Sequence, residues 1–434
     1  MSPLRILAAC LFAVSALAQM TPKEQATELS SFELVWSTVR DRNPDPKLNG
    51  LDWQAVHDSY RPRIEHAKSA DEVRALLREM IGKLAVSHYA ILPGDLYAAI
   101  DDAPAAGNAD STAGIETVIL DGKAVVKNVS PGSPAAQAGI EPGMVLAGID
   151  GARVSPLLDN AGLTDSESRR LAARAVALKL AGAADSRVSL DLVDAQGKPK
   201  HVEVARSGIE DKPAGKMVEF GNLPQTRLVF ESRTLAGAGR VGYIRFNEFL
   251  DPVTLMPRFQ SALKDFAHAS GVVLDLRGNP GGIGIMAMGI AGFFVSESGR
   301  QLGEMKMREF GTQQETTLKF TVFPRLETYP GRLAILLDEG SASTTEILAQ
   351  GLQDLKRARI FGTRSAGAAL PSDIIRLPDG DGFQFPTASY TSSGGRVLEG
   401  NGVIPDVEVR QTREAIAAGR DLVIDAAAAW IAGP

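Results

Sequence analysis

The chain has 434 residues, too many for one hydrophobic core, so two or three domains are expected. Hydrophobic content of 44% and charged content of 23% describe an ordinary globular protein, and a net charge of −6 without a clustered Lys/Arg stripe argues against nucleic-acid binding. Five histidines and one cysteine, with no His-x-x-x-His or Cys-x-x-Cys pair, leave little material for a zinc site, and neither a metal nor an organic cofactor is implied.

In chain order, residues 1–18 read as an export signal. Arg5 supplies the positive start, the apolar run Ile6 to Ala18 is too short to span a bilayer, and Ala16-Leu17-Ala18 fits a cleavage site before Gln19. The mature protein would then be periplasmic or secreted, with no membrane span and no thiol, because Cys10 lies inside the signal. Leu7-Ala8-Ala9-Cys10 also has the form of a lipoprotein box, and an uncleaved anchor is a further alternative. Residues 21–100 read as a helical cap, since Phe32, Val35, Trp36 and Val39 recur at helix spacing, as do Val73, Leu76, Leu77, Met80, Ile81 and Leu84. Asp101 to Ala113 reads as a linker.

From 114 to 208 the pattern becomes short strands with tight turns, including the hairpin signal Ile149-Asp150-Gly151. From 215 to 434 strands alternate with helices, as in a parallel or mixed sheet with helices packed on it. Strands are expected at Val241 to Phe246, Gly271 to Leu276 and Leu333 to Leu337. Helices are expected at Leu255 to Ala267, at Gly284 to Phe294 as a buried helix, and at Glu346 to Leu355. The fold class is multidomain α+β: a helical cap, a small β domain and an α/β domain.

The segment Gly340-Ser341-Ala342-Ser343-Thr344-Thr345-Glu346 follows an apolar strand and opens a helix. Such a turn exposes a hydroxyl beside unpaired backbone N–H groups and the positive end of the helix dipole. It is not a G-x-S-x-G elbow, because Thr344 and Thr345 replace the second glycine. Gly282-Ile283-Gly284-Ile285-Met286-Ala287 mimics a dinucleotide fingerprint, but no carboxylate follows at the usual spacing, so nucleotide binding is set aside. His57, His66, His201 and His268 are read as surface residues.

These residues carry a resemblance. Leu274-Asp275-Leu276-Arg277-Gly278-Asn279-Pro280-Gly281-Gly282, Asp338 to Ser343, and Gly402-Val403-Ile404-Pro405-Asp406-Val407-Glu408-Val409 resemble, in order, the glycine-rich turn, nucleophile segment and closing motif of the S41 serine peptidases. That family holds the C-terminal processing proteases and the tricorn core proteases. Ser130 to Gly151 resembles a PDZ domain, and Phe32 to His88 looks like the family's helical cap. The resemblance implies a catalytic domain of the ClpP/crotonase-like type, a peptide or protein substrate, and Ser343 as nucleophile. The processing proteases take their base from a lysine in a Gly-Lys-Gly loop; here Ala368 stands at that position, and Arg364 cannot accept a proton. The tricorn branch is similar to this chain in its Ser-His pair, Ser87-His88, and in a glutamate before the closing motif, Glu399. The resemblance therefore implies a tetrad of Ser343, His88, Ser87 and Glu399. A neutral imidazole, with an ordinary pKa near ~6.5, suits the base. Backbone N–H groups of Gly282, Thr344 and Gly281 are the implied oxyanion donors. The competing readings are a catalytically inactive binding protein on the same fold and a PDZ scaffold.

Overall fold

The computed structural model describes residues 20–92, 94, 111–155, 173, 176–177, 179–183, 185–208, 217–220, 223–236, 240–308 and 314–433. The expected signal segment, its Cys10 and most of the expected linker lie outside these residues. Among the described residues no helix is long and apolar enough to cross a membrane.

Three helices open the chain: α1 (Pro22–Arg42), α2 (Trp53–Glu65) and α3 (Ala70–Gly82). Each has a side-chain cap at its start, Thr21, Asp52 and Ser69, which accept from the N–H groups of Glu24, Ala55 and Glu72. Their apolar stripes meet around Phe32, Val35, Trp53, Tyr60, Leu77 and Met80. The same core takes in Leu377, Phe383 and Phe385 from some three hundred residues further on. The first hundred residues are thus not wholly helical, and the cap is not a closed unit. Strand β1 (Ala90–Leu92) leaves α3 and pairs antiparallel with Gly382, Phe383 and Gln384. Pairing with a distant hairpin, rather than local propensity, makes this strand. His57 is a second difference from the surface reading. Its ring packs on Trp36 at 4.6 Å between centroids and bonds to Glu33 and Asp58, with its side chain only 12% exposed.

The middle domain is a five-stranded antiparallel path. In spatial order it runs β2 (Ile115–Leu120), β3 (Lys123–Val129), β4 (Val145–Ile149), β5 (Arg187–Val193) and β6 (Pro199–Ala205). A one-turn helix, α4 (Pro134–Gln137), lies between β3 and β4. Two ties fix this domain on the next one. Arg245 donates to Glu116 of β2 at 2.6 Å. Arg413 donates to the carbonyls of Gly143 at 2.6 Å and Asp194 at 2.5 Å.

The last domain centres on a six-stranded sheet in the order β7 (Phe230–Thr234), β8 (Val241–Phe246), β9 (Gly271–Asp275), β12 (Arg332–Leu337), β13 (Arg359–Gly362) and β17 (Val407–Glu408). Only the β7–β8 pair is antiparallel. Successive side chains of a strand point to opposite faces. Val272, Leu274, Leu333, Ile335 and Leu337 therefore pack under α5 (Pro252–Asp265), α6 (Ile285–Ala291) and α7 (Thr344–Asp354). Val273, Ala334 and Leu336 pack on the other side against the last helix, α9 (Leu422–Ala432), which follows the short α8 (Arg413–Ala417). Burial on both faces is why β12 reads as an unbroken apolar run. Outside this sheet, β10 (Gln301–Arg308) lies between β11 (Glu315–Thr321) and β16 (Ala388–Ser392), and the hairpin β14 (Ser372–Arg376) with β15 (Gly382–Pro386) carries β1.

The turn of that hairpin is locked to the cap by charge. Arg74 of α3 donates to both oxygens of Asp381, at 2.7 and 3.1 Å, and the Asp381 side chain is 5% exposed. Ser31 of α1 accepts from the Asp379 N–H at 3.1 Å. Burial first, and then the neighbouring Asp379 carboxylate, push the Glu28 carboxyl up to about 7. Asp381→Ala should cost about 2 kcal/mol in urea denaturation, because Arg74 loses its buried acceptor and keeps only Asp71, at 2.6 Å on the solvent side. The Glu28 proton is held more tightly in the folded chain than in the unfolded one, so stability falls as pH rises from about 4.5 to about 7. Glu28→Gln should flatten that slope in melting temperatures measured across the same window.

Candidate active site

Three parallel strands end side by side, and each delivers one wall of the site. β9 runs into the turn Gly278 to Gly282, β12 into the turn Asp338 to Ser343, and β13 into the loop Thr363 to Leu370. The C-terminal edge of such a sheet is where ligands commonly bind. Beneath the first turn, Arg277 donates to Asp275 at 2.6 Å and to Asp421 at 2.8 Å, while Tyr243 donates to Asp275 at 2.9 Å.

The first two turns are stitched together. Asn279 gives its carbonyl to the Ala342 N–H at 3.0 Å and to the Thr345 hydroxyl at 3.0 Å. Thr344 donates its hydroxyl to the Gly282 carbonyl at 2.8 Å, and Asp338 accepts from the Gly278 N–H at 2.7 Å. Ser341 is fully buried and donates to the Leu276 carbonyl at 2.9 Å, a structural role. The contact is close enough to require glycine: a Cβ on Gly281 would lie 2.7 Å from Ser343 Cβ and 2.8 Å from Thr344 N. Gly282 is extended through φ +135, a conformation other residues rarely adopt. The Gly281 N–H, one of the three expected from sequence as oxyanion donors, is already given to Asn279 Oδ1 at 3.0 Å.

Ser343 caps α7 with φ 56 and ψ −120, a strained backbone for a residue with a Cβ. Its N–H reaches the Ala368 carbonyl at 2.8 Å and Glu346 Oε2 at 3.0 Å. Glu346 is fully buried and also accepts from Ser365 Oγ at 2.5 Å, Gly367 N at 2.8 Å and Ala368 N at 2.9 Å. Burial pushes its carboxyl above the usual range despite these donors. The sequence reading did not assign Glu346. An acid three residues after a serine at a helix start is a capping pattern and could have flagged it.

Ser87, His88 and Glu399 form one bonded unit. Glu399 accepts from the Ser87 N–H at 2.6 Å and from the Ser87 hydroxyl at 2.9 Å, and Ser87 Oγ lies 2.6 Å from His88 Nδ1. A carboxylate only accepts, so the Ser87 hydroxyl spends its single proton on Glu399. Nδ1 of His88 must then carry the proton it gives to Ser87, which makes Nε2 the acceptor nitrogen of the ring. His88 is 6% exposed and holds φ 65. Glu399 also accepts from the Ala369 N–H at 3.3 Å, one residue from the Ala368 that holds Ser343. The loop 363–370 thus ties the Ser–His–Glu unit to the Ser343 turn. Ala368 itself is buried, and the last lysine of the whole sequence is Lys356.

Residues 240–409 match the peptidase family S41, and residues 25–82 match the tricorn protease C1 domain. A carboxyl-terminal-processing protease of Synechocystis sp. is 26% identical over 87% of this chain and 79% of its own length. A tricorn protease homolog of Streptomyces coelicolor is 27% identical over 88% of this chain, which spans only 30% of that protein. The solved photosystem II D1 C-terminal processing protease shares the fold with a TM-score of 0.57 at 23% identity, over 92% of this chain and 98% of that one.

Glu346→Ala should destabilise the chain by about 3 kcal/mol in urea, since it leaves buried donors without an acceptor. Glu346→Gln, which keeps one acceptor oxygen, should fall between it and wild type.

With a tricorn C1-type cap on one side and an S41 domain on the other, the chain is a relative of the S41 serine peptidases, C-terminal processing and tricorn-type alike.

Proposed function

We propose that the chain is an exported serine endopeptidase that works through an acyl-enzyme, with Ser343 as nucleophile and His88 as base. The observation that carries this reading is the Glu399–Ser87–His88 unit, whose bonding leaves His88 Nε2 as an acceptor. Ser343 Oγ attacks the scissile carbonyl carbon as Nε2 takes its proton. The carbonyl oxygen becomes an oxyanion and takes hydrogen bonds from the N–H groups of Gly282 and Thr344, each worth ~3 kcal/mol of barrier in comparable sites. As the C–N bond breaks, the leaving amine collects the proton from His88. Water then hydrolyses the ester with the same base. Glu399, through Ser87, orients the ring and stabilises the imidazolium, as the aspartate does in the standard triad. The pairing of a Ser-His unit with alanine at position 368 favours the tricorn-type chemistry over a Ser–Lys dyad.

The domain at 114–208 is the PDZ-like module of this reading. Its strand β2 lies at the edge of the sheet path and suits strand addition by a peptide.

A fluorophosphonate probe should label the wild type and not Ser343→Ala. His88→Ala should slow labelling by about 10³-fold, within the range for a lost general base, and Ser87→Ala by less. An absence of wild-type labelling between pH 6 and 9 would leave a non-catalytic binding protein on the same fold, with which alanine at position 368 is also compatible.

A further inference from the structure

Strand β11 forms one edge of the sheet β11–β10–β16, and among the described residues no strand pairs with its outer side. The strand is anchored at one end. Phe320 is buried in the core, and a Cβ on Gly284, which opens α6, would lie 3.7 Å from its ring. Before this anchor the strand stands in solvent: Glu315 to Lys319 are all exposed, Leu318 by 40%. Alternate N–H and C=O groups of such an edge point away from the sheet and can pair with another chain. Thr316, Thr317 and Phe320 are residue types that favour a strand. A lysine on an edge ordinarily keeps it single, so the charges decide what can pair here.

Glu315, Thr317 and Lys319 share the face turned from the core, since Phe320, which alternates with them, is buried. Within the hairpin, Arg308 is opposite Glu315, Lys306 opposite Thr317 and Glu304 opposite Lys319. Directly opposite side chains of an antiparallel sheet lie on one face. Two copies of β11 can therefore pair about a two-fold axis only in registers centred on a residue. Centring on Glu315 or on Lys319 sets like charges against each other, and centring on Thr316 or Leu318 sets a charge against Thr317. Centring on Thr317 sets Glu315 of each copy against Lys319 of the other. Across the two hairpins the row then reads Arg308, Glu315, Lys319, Glu304, and the signs alternate. The middle of the pair joins Thr317 to Thr317, a favourable cross-strand contact. On the opposite face Leu318 comes to lie against Thr316 of the second copy, which covers its exposed side chain.

We propose that β11 is a self-association surface, joining two copies of this chain antiparallel about Thr317 into one continuous sheet. The occupant follows from charge complementarity: a second copy supplies the mirrored Glu315 and Lys319 at the spacing the register requires. A seven-residue edge covers less than the ~1,600 Å² of a standard stable interface, so the dimer exchanges with monomer. The pairing is independent of the chemistry at Ser343.

The test is sedimentation velocity of the full chain at low salt over a dilution series from about 1 to about 200 µM, in which the wild type should shift from monomer to dimer. Glu315→Lys and Lys319→Glu each turn both contacts between copies into like-charge pairs, and each should weaken the dimer at least about tenfold. Mixed in equal amounts, the two variants restore opposite charges at both contacts. The mixture should dimerise as the wild type does, although neither variant does alone, and a damaged fold in either variant could not produce that rescue. A wild type that stays monomeric at about 200 µM overturns the inference. So does a dimer that neither variant weakens, or a mixture that fails to associate. A monomeric wild type whose affinity for an extended peptide falls in both variants makes the edge a strand for peptide addition, and overturns it too.

Discussion

The site depends on one buried carboxylate. Glu346 points back from the first turn of α7 and gathers the N–H of Ser343, the hydroxyl of Ser365 and the N–H groups of Gly367 and Ala368. A buried carboxylate is costly unless its lone pairs are filled, and here four donors fill them. The consequence is geometric. The Ser343 turn cannot shift without dragging the loop after β13, and that loop holds Glu399 through Ala369. The strained backbone at Ser343 is held by these bonds and by the Asn279 stitching, which explains why a φ of 56 is tolerated there.

The cap is joined to this machinery by burial and pairing rather than by a linker. Phe383 and Phe385 complete the core of α1–α3, and β1 leaves α3 to pair with the same hairpin. Ser87 and His88 lie in the short stretch between α3 and β1, anchored at both ends. On the proposed reading, a histidine on a freely hinged domain would lose orientational entropy each time it met its serine, and one clamped between a packed helix and a paired strand would not. The Arg74–Asp381 pair and the Glu28–Asp379 contact sit at that same junction.

What could be read from sequence followed the range of the interactions. The strands Val241–Phe246 and Arg332–Leu337 announce themselves because two-sided burial imposes an apolar run, and the Ser343 turn stands out because small residues must sit between strand and helix. The membership of Ser87, His88 and Glu399 came from resemblance; no local pattern connects residues 312 positions apart. Glu346 went unassigned because three of its four donors belong to a loop about twenty residues downstream. His57 was misjudged because its cover comes from Phe32, Glu33 and Trp36 of another helix. Strand β1 was hidden in a helical stretch because only its distant partner makes it a strand. The buried helix expected at 284–294 is buried along most of its length, with Ile285 at its start in solvent.

The alanine at position 368 gives these observations a common logic. Its N–H goes to Glu346 and its carbonyl receives the Ser343 N–H, so both backbone groups are committed to holding the nucleophile turn. Its side chain is a buried methyl. The loop that supplies the base in a Ser–Lys enzyme serves here as a structural brace. On the proposed reading, the base comes from a part of the chain that the sheet does not contain. The sheet domain's own hairpin extends into the cap, so that packing of the cap core and placement of the His88 imidazole are one event.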